Sequence, residues 1–177
     1  MSTDEEVCFI KELPGHLLED AAATAIKINP ANHPDNKSLR VPTDTTDFLL
    51  KPLALRTDKR WNEKGTVLTV GFMDNPGANL AYRILIHMNA WGLRCNVYFV
   101  HIDDASKAKV RIKRTKGDGY WSYLGTDICL IASDKPTMNL AGFTTNTSES
   151  EFYRVVRHET GHTLGFPHEH LRKEVVD

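Results

Sequence analysis

His158-Glu159-Thr160-Gly161-His162-Thr163-Leu164-Gly165-Phe166-Pro167-His168-Glu169-His170 is the stretch on which the reading of this chain turns. Side chains four apart on an α-helix stand one above the other, with Cβ atoms about 5–6 Å apart. His158 and His162 can therefore present two imidazole nitrogens to one metal ion. Glu159 is offset by one position, so its carboxylate can sit beside a metal without ligating it and take a proton from metal-bound water. Gly165 accepts the left-handed conformation that ends helices, and Pro167 does not tolerate a continuing helix. The chain can then fold back and deliver His168 as a third ligand. Three histidines and one open position describe a catalytic zinc site rather than a closed structural one. The alternative is a histidine-rich helix end with no metal. It leaves unexplained why the helix stop and the third histidine both stand at the spacing that one geometry requires. Four of the chain's eight histidines fall in these thirteen positions.

Two motifs together resemble a known family. His158 to His168 reads HExxHxxGxxH, the signature of metzincin zinc peptidases. Its continuation Gly165-Phe166-Pro167-His168-Glu169-His170 is similar to the astacin branch, HExxHxxGFxHE. Upstream, Asp118-Gly119-Tyr120-Trp121-Ser122-Tyr123-Leu124-Gly125 resembles the astacin segment CWSYVG, which leads into an edge strand. The resemblance runs from about Thr57 to the end of the chain. It implies a zinc endopeptidase acting on protein or peptide substrates, with His158, His162 and His168 as ligands to Zn2+ and Glu159 as general base. It also implies that Glu169 is a structural carboxylate meeting a mature N-terminal amine; a plain solvent-exposed glutamate is the other reading of that position. The family continues into a lower subdomain with a methionine turn and a tyrosine. No Met follows Met138 and no Tyr follows Tyr153. The chain is therefore read as an upper subdomain lacking the lower one. A second function stays open beside the peptidase: a catalytically silent zinc-binding or peptide-capturing module.

The composition suits one ordinary globular core. The chain has 177 residues, 41% hydrophobic and 25% charged, with a net charge of −1, so nothing points to nucleic acid or an anionic membrane surface. No apolar run approaches the roughly 20 residues that span a bilayer. Met1 to Glu6 lacks the basic and apolar blocks of a signal peptide, and the compartment and oligomeric state stay open. Cys8, Cys95 and Cys129 are too few for a disulfide scaffold and read mostly as small buried apolar residues.

Residues 1–60 differ from the rest. Five of the eight prolines lie there. A helix is expected from about His16 to Ile28, ending before Asn29-Pro30 because the residue preceding proline leaves the helical region. From Asn29 to Asp47 the chain is turn-rich. This segment is either an extension packed on the domain or a pro-segment over the cleft. In family zymogens a Cys or Asp is held against the zinc, which makes Cys8, Asp44 and Asp47 candidates, although neither switch motif is matched.

Residues 61–177 read as an α/β (α+β) zincin-like unit: a twisted, mixed, mostly parallel sheet with an antiparallel edge strand, a backing helix and an active-site helix. Thr66 to Phe72 is a buried strand. Asn79 to Trp91 is a helix with Leu80, Ile84, His87, Met88 and Trp91 on one face, and His87 reads as a core residue. Strands are expected at Asn96 to Ile102, Lys109 to Arg114 (one wet face), Ile128 to Ala132 and Met138 to Phe143. By resemblance, Met138 to Gly142 is the edge strand to which a substrate adds. Ser148 with Glu151 forms a capping box that starts the site helix. Phe152, Val156, Thr160 and Thr163 are expected on the sheet side, and Val155, His158 and His162 on the cleft side.

Overall fold

The computed structural model describes residues 8–35, 58–62, 64–93 and 95–168. Within them lies a six-stranded sheet: β1 (Cys8–Lys11), β2 (Thr66–Phe72), β3 (Val97–His101), β4 (Val110–Lys113), β5 (Tyr120–Tyr123) and β6 (Met138–Leu140), in the order β1-β5-β6-β4-β2-β3. All neighbours are parallel except β5 with β6, which is antiparallel. The mixed, mostly parallel sheet anticipated from the sequence is what forms.

Helix α1 spans Leu18–Ile28 and is led in by a 3-10 turn, Gly15–Leu17. It stops at Asn29, whose backbone is extended ahead of Pro30. Helix α2 spans Ala78–Asn89 and runs on as a 3-10 turn, Ala90–Leu93. The site helix is built of α3 (Glu149–Glu151), a π turn (Phe152–Val156) and α4 (Arg157–Leu164). Ser148 caps its start by accepting the Glu151 amide at 3.3 Å. The reciprocal half of the expected capping box does not form, because the Glu151 carboxylate takes Arg154 instead, at 2.8 and 3.0 Å.

The core lies where α2 and the site helix cover the sheet. Leu80, Ile84 and Met88 of α2 are buried with Leu68, Val70, Val110, Ile112, Trp121, Met138 and Leu140. Phe152 packs edge-on against Phe143 at 5.1 Å. Burying each large apolar side chain contributes about 1.5–3 kcal/mol, so this layer fixes how the site helix lies on β5. Phe152, Val156, Thr160 and Thr163 are all fully buried, as their spacing suggested. Val155 was expected on the cleft side but is buried as well; it sits inside the π turn, whose wider winding departs from the 3.6-residue period used to place it.

Three further expectations need correction. Met138 to Gly142 is not an edge: β6 is interior, bonded to β4 on one side and β5 on the other. β5 is bonded to β6 on one side and to β1 on the other, so β1 is the outer strand at this end of the sheet. Ile128 to Ala132 is not a strand, because Gly125–Leu130 winds as a 3-10 turn with Ile128 in the core. The wet face expected at Lys109 to Arg114 holds at Lys109 and Lys113, which are exposed, but not at Arg111 between them. Arg111 is only 5% exposed, and its guanidinium donates to the carbonyls of Ala108, Ile131, Ala132 and Lys135 at 2.7–3.2 Å. A charged residue in a central strand is tolerated here because each guanidinium nitrogen finds a carbonyl oxygen.

Candidate functional site

The site lies at the C-terminal end of the site helix. Helix α4 ends at Gly165, whose φ of 105° is in the left-handed region. The Gly165 and Phe166 amides close the turn on the His162 and Gly161 carbonyls at 2.9 and 3.0 Å. The reversal brings His168 back over the helix. Its Nε2 lies 3.1 Å from His162 Nε2 and 3.2 Å from His158 Nε2. The three predicted histidines thus converge through the same ring nitrogen. His162 Nδ1 is held by the Phe166 carbonyl at 2.6 Å, which puts the proton on Nδ1 and leaves Nε2 its lone pair.

A fourth group enters from 150 residues away in sequence. Cys8, the first residue of β1, places Sγ 3.4 Å from His168 Nε2 and 3.8 Å from His162 Nε2. Its thiol also donates to Glu159 Oε1 at 2.9 Å. The donor atoms of Cys8, His158, His162 and His168 all lie within 4.8 Å of one another. Tetrahedral zinc, with bonds of about 2.0–2.1 Å to nitrogen and 2.3 Å to sulfur, sets nitrogens about 3.3–3.4 Å apart and a sulfur about 3.5–3.6 Å from them. The set fits zinc in donor chemistry and in spacing. Cys8 is thus not a small core residue as composition suggested. All three cysteines are only half-buried, and none is in a disulfide.

Glu159 is fully buried. Oε2 has no hydrogen-bond partner among the described residues. Burial pushes its carboxyl up to about 8, against the lowering pull of the Cys8 hydrogen bond and of Arg154. Burial, reinforced by the neighbouring Glu159, drives the Cys8 thiol far above the ordinary thiol range. Burial also lowers His162 to about 4 and lowers His158, with His168 and Arg154 adding to the effect. Neutral imidazoles are the ligating form, and a bound dication would reverse the trend at the thiol.

Strand β1 seats Cys8 by pairing with β5, Cys8 opposite Tyr120 through Lys11 opposite Tyr123. Lys11 Nζ stands 3.7 Å above the Trp121 ring, and Phe9 lies 6.5 Å from the same ring. A cavity of about 530 Å³ opens between β1, Lys59, Leu124, Asp127, Pro167 and His168. Two tryptophans brace the site helix from outside: Trp61 Nε1 donates to the Thr163 carbonyl at 2.8 Å and Trp91 Nε1 to the Arg157 carbonyl at 3.0 Å. His87 is a core residue as expected, paired through Nε2 with Glu149 at 2.8 Å. Asp44, Asp47, Glu169 and His170 lie outside the described residues. Neither Trp61 nor Trp91 was assigned to the site from sequence. A tryptophan NH reaching a helix carbonyl leaves no spacing signal.

This arrangement, three histidines on a helix and its closing turn packed on β5, is one that can hold a metal ion. The family model described as Astacin, a peptidase family, matches residues 55–176, and the chain belongs to the astacin family. Among solved structures, one described as "Structure of myroilysin" is 34% identical, with a TM-score of 0.61, over 66% of this chain and 55% of that one. A second, "Crystal structure of myroilysin", is 32% identical, with a TM-score of 0.58, over 66% of this chain and 50% of that one. A hatching enzyme zinc-protease from Oryzias latipes (Medaka fish), High choriolytic enzyme 1, is 19% identical, with a TM-score of 0.46, over 70% and 56%. The chain therefore spans about half the length of the myroilysin chains it matches. No curated protein matches it.

Proposed function

We propose that this chain is the zinc-bearing part of a metalloendopeptidase, with His158, His162 and His168 as ligands, Glu159 as general base, and residues 1–60 as a pro-segment that holds the site latent. The convergence of three Nε2 atoms beside one buried carboxylate carries the reading. Bound there, zinc supplies a Lewis acid that brings the pKa of water near 7 and polarises a scissile carbonyl.

The protein's own groups do the rest. Glu159, with its basicity raised by burial, accepts the proton of the attacking water and passes it to the leaving amine. The Phe166 carbonyl keeps His162 in the tautomer that ligates. The backbone of β5, once β1 departs, offers hydrogen bonds to an extended peptide, which makes protein or peptide the substrate class. While β1 stays, Cys8 Sγ stands beside the ligand nitrogens and at hydrogen-bond distance from Glu159, so it covers both the open ligand position and the base.

One observation favours a second reading. Three histidines plus a thiolate form a closed four-ligand set, which is the pattern of a structural zinc; the chain would then be a catalytically silent zinc-binding module. The test is metal content, run beside digestion of a casein-type substrate by intact protein and by protein trimmed of residues 1–60. One zinc per chain, with chelator-sensitive cleavage only after trimming, is expected. One zinc with no cleavage in either form selects the silent module. No zinc at all removes both.

A further inference from the structure

We infer that Trp91 is a positioning residue for the histidine cluster, one indole that aligns all three ligand positions from the back of the site helix. The inference rests on the zinc reading above and adds a residue that touches none of the ligands.

Three side-chain contacts of Trp91 run along the motif, each within two residues of a different histidine. Its Nε1 donates to the carbonyl of Arg157, the residue before His158, at 3.0 Å. Its ring lies against Gly161, the residue before His162; a Cβ built there would stand 3.1 Å from Trp91 Cζ2 and 3.6 Å from Cη2. That is closer than side chains ordinarily pack, so glycine at 161 is what lets the indole lie flat on the helix. The ring also stacks on Phe166 at 5.2 Å and 18°. Phe166 is the residue whose carbonyl fixes His162 Nδ1 at 2.6 Å and whose amide closes the turn on Gly161 at 3.0 Å. His168 follows two positions later.

The route from the indole to the cluster is short. Trp91 holds the Phe166 ring, the Phe166 carbonyl orients the His162 imidazole, and the same turn sets where His168 returns. Groups that orient ligating histidines typically govern affinity by 10–100-fold. The π turn immediately before Arg157 gives the indole a reason to be there. Helix segments wound by five are less regular than α, and Trp91 pins the first residue after the irregularity.

The experiment compares wild type, Trp91→Phe, Trp91→Leu, Gly161→Ala and the double variant Trp91→Phe/Gly161→Ala. Zinc affinity is measured by competition with a chromogenic chelator. The His162 Nδ1–H proton is followed by NMR, with and without zinc, and melting of the metal-free protein reports the fold. Trp91→Leu is expected to weaken zinc about 10- to 100-fold and to speed exchange of the His162 Nδ1–H proton. Trp91→Phe, which keeps a ring and loses the NH, falls between. Gly161→Ala weakens zinc in the wild-type background, and Trp91→Phe, with its smaller ring, restores part of that loss. If Trp91→Leu does not fold, the phenylalanine and alanine variants carry the same comparison. Wild-type zinc affinity and an unchanged His162 Nδ1–H signal in folded Trp91 variants would overturn the inference while leaving the zinc reading intact. Wild-type protein that takes up no zinc overturns both.

Discussion

Two segments reach the histidine cluster, and they are held in very different ways. The site helix comes from below, buried on its sheet-facing side and throughout residues 159–164, capped by Ser148, braced by two tryptophans and ended by a left-handed glycine. The strand β1 comes from the side, only four residues long, half-exposed and attached at the sheet's end. One is part of the core and cannot leave without unfolding it. The other adds to an edge that is complete without it. Burial thus sets the two segments apart; on the proposed reading the helix is a frame that persists and β1 a cover that can depart.

The largest expected effect strikes the frame's chemistry. In protein freed of residues 1–60, Glu159→Gln should lower turnover by roughly 10²–10⁴-fold, the usual worth of a positioned general base, while zinc content stays at one per chain. Retained turnover would move the base elsewhere. Next comes the frame's support. Arg111→Met leaves four carbonyls without their donor and should cost on the order of 3 kcal/mol, read as a lower denaturation midpoint in intact and trimmed protein alike. A loss confined to the intact form would mean that the two segments are not independent.

The cover should respond separately. Cys8→Ala is expected to raise cleavage by the intact chain on the order of tenfold or more, since about 1.4 kcal/mol of preference for the closed form is a factor of ten; the trimmed protein should show no change. Equal activity with and without the thiol would make Cys8 a bystander. Lys11→Ala removes a cation from the Trp121 face and should loosen β1 by about 0.5–1 kcal/mol, visible as faster proteolysis of the N-terminal segment. The smallest effect concerns acid. The Arg83 hydrogen bond, and then that of His87, hold Glu149 below its ordinary value of 4.5. Stability from a depressed carboxylate is present above its unfolded pKa and lost as pH falls through the folded one. Thermal melts from pH 6 down to 3 should therefore fall slightly more steeply in wild type than in Glu149→Gln.

Much of the frame was legible because its signals are local. Thr66 to Phe72 is apolar and β-branched. Asn29-Pro30 ends a helix, and HExxH with Gly165 and His168 prescribes a helix, a stop and a return. What escaped depends on distant partners. Arg111 looks like a solvated charge until the carbonyls of residues 131, 132 and 135 close over it. The edge assignment failed because Met138 to Gly142 was placed there by resemblance, and only the pairing tells which strand is outer. Cys8 was one of three candidates in a segment without a switch motif. Its meaning resides in a contact with residues 151 to 160 positions onward, which no spacing rule encodes.

The single sulfur at the start of β1 meets the acidic side chain and the imidazole ring nitrogens at once. On the proposed reading, its withdrawal frees the proton acceptor and the coordination corner in the same event. Activation would then be all-or-none for each molecule, and a partly activated sample would be a mixture of silent and fully competent enzymes rather than a population of slow ones.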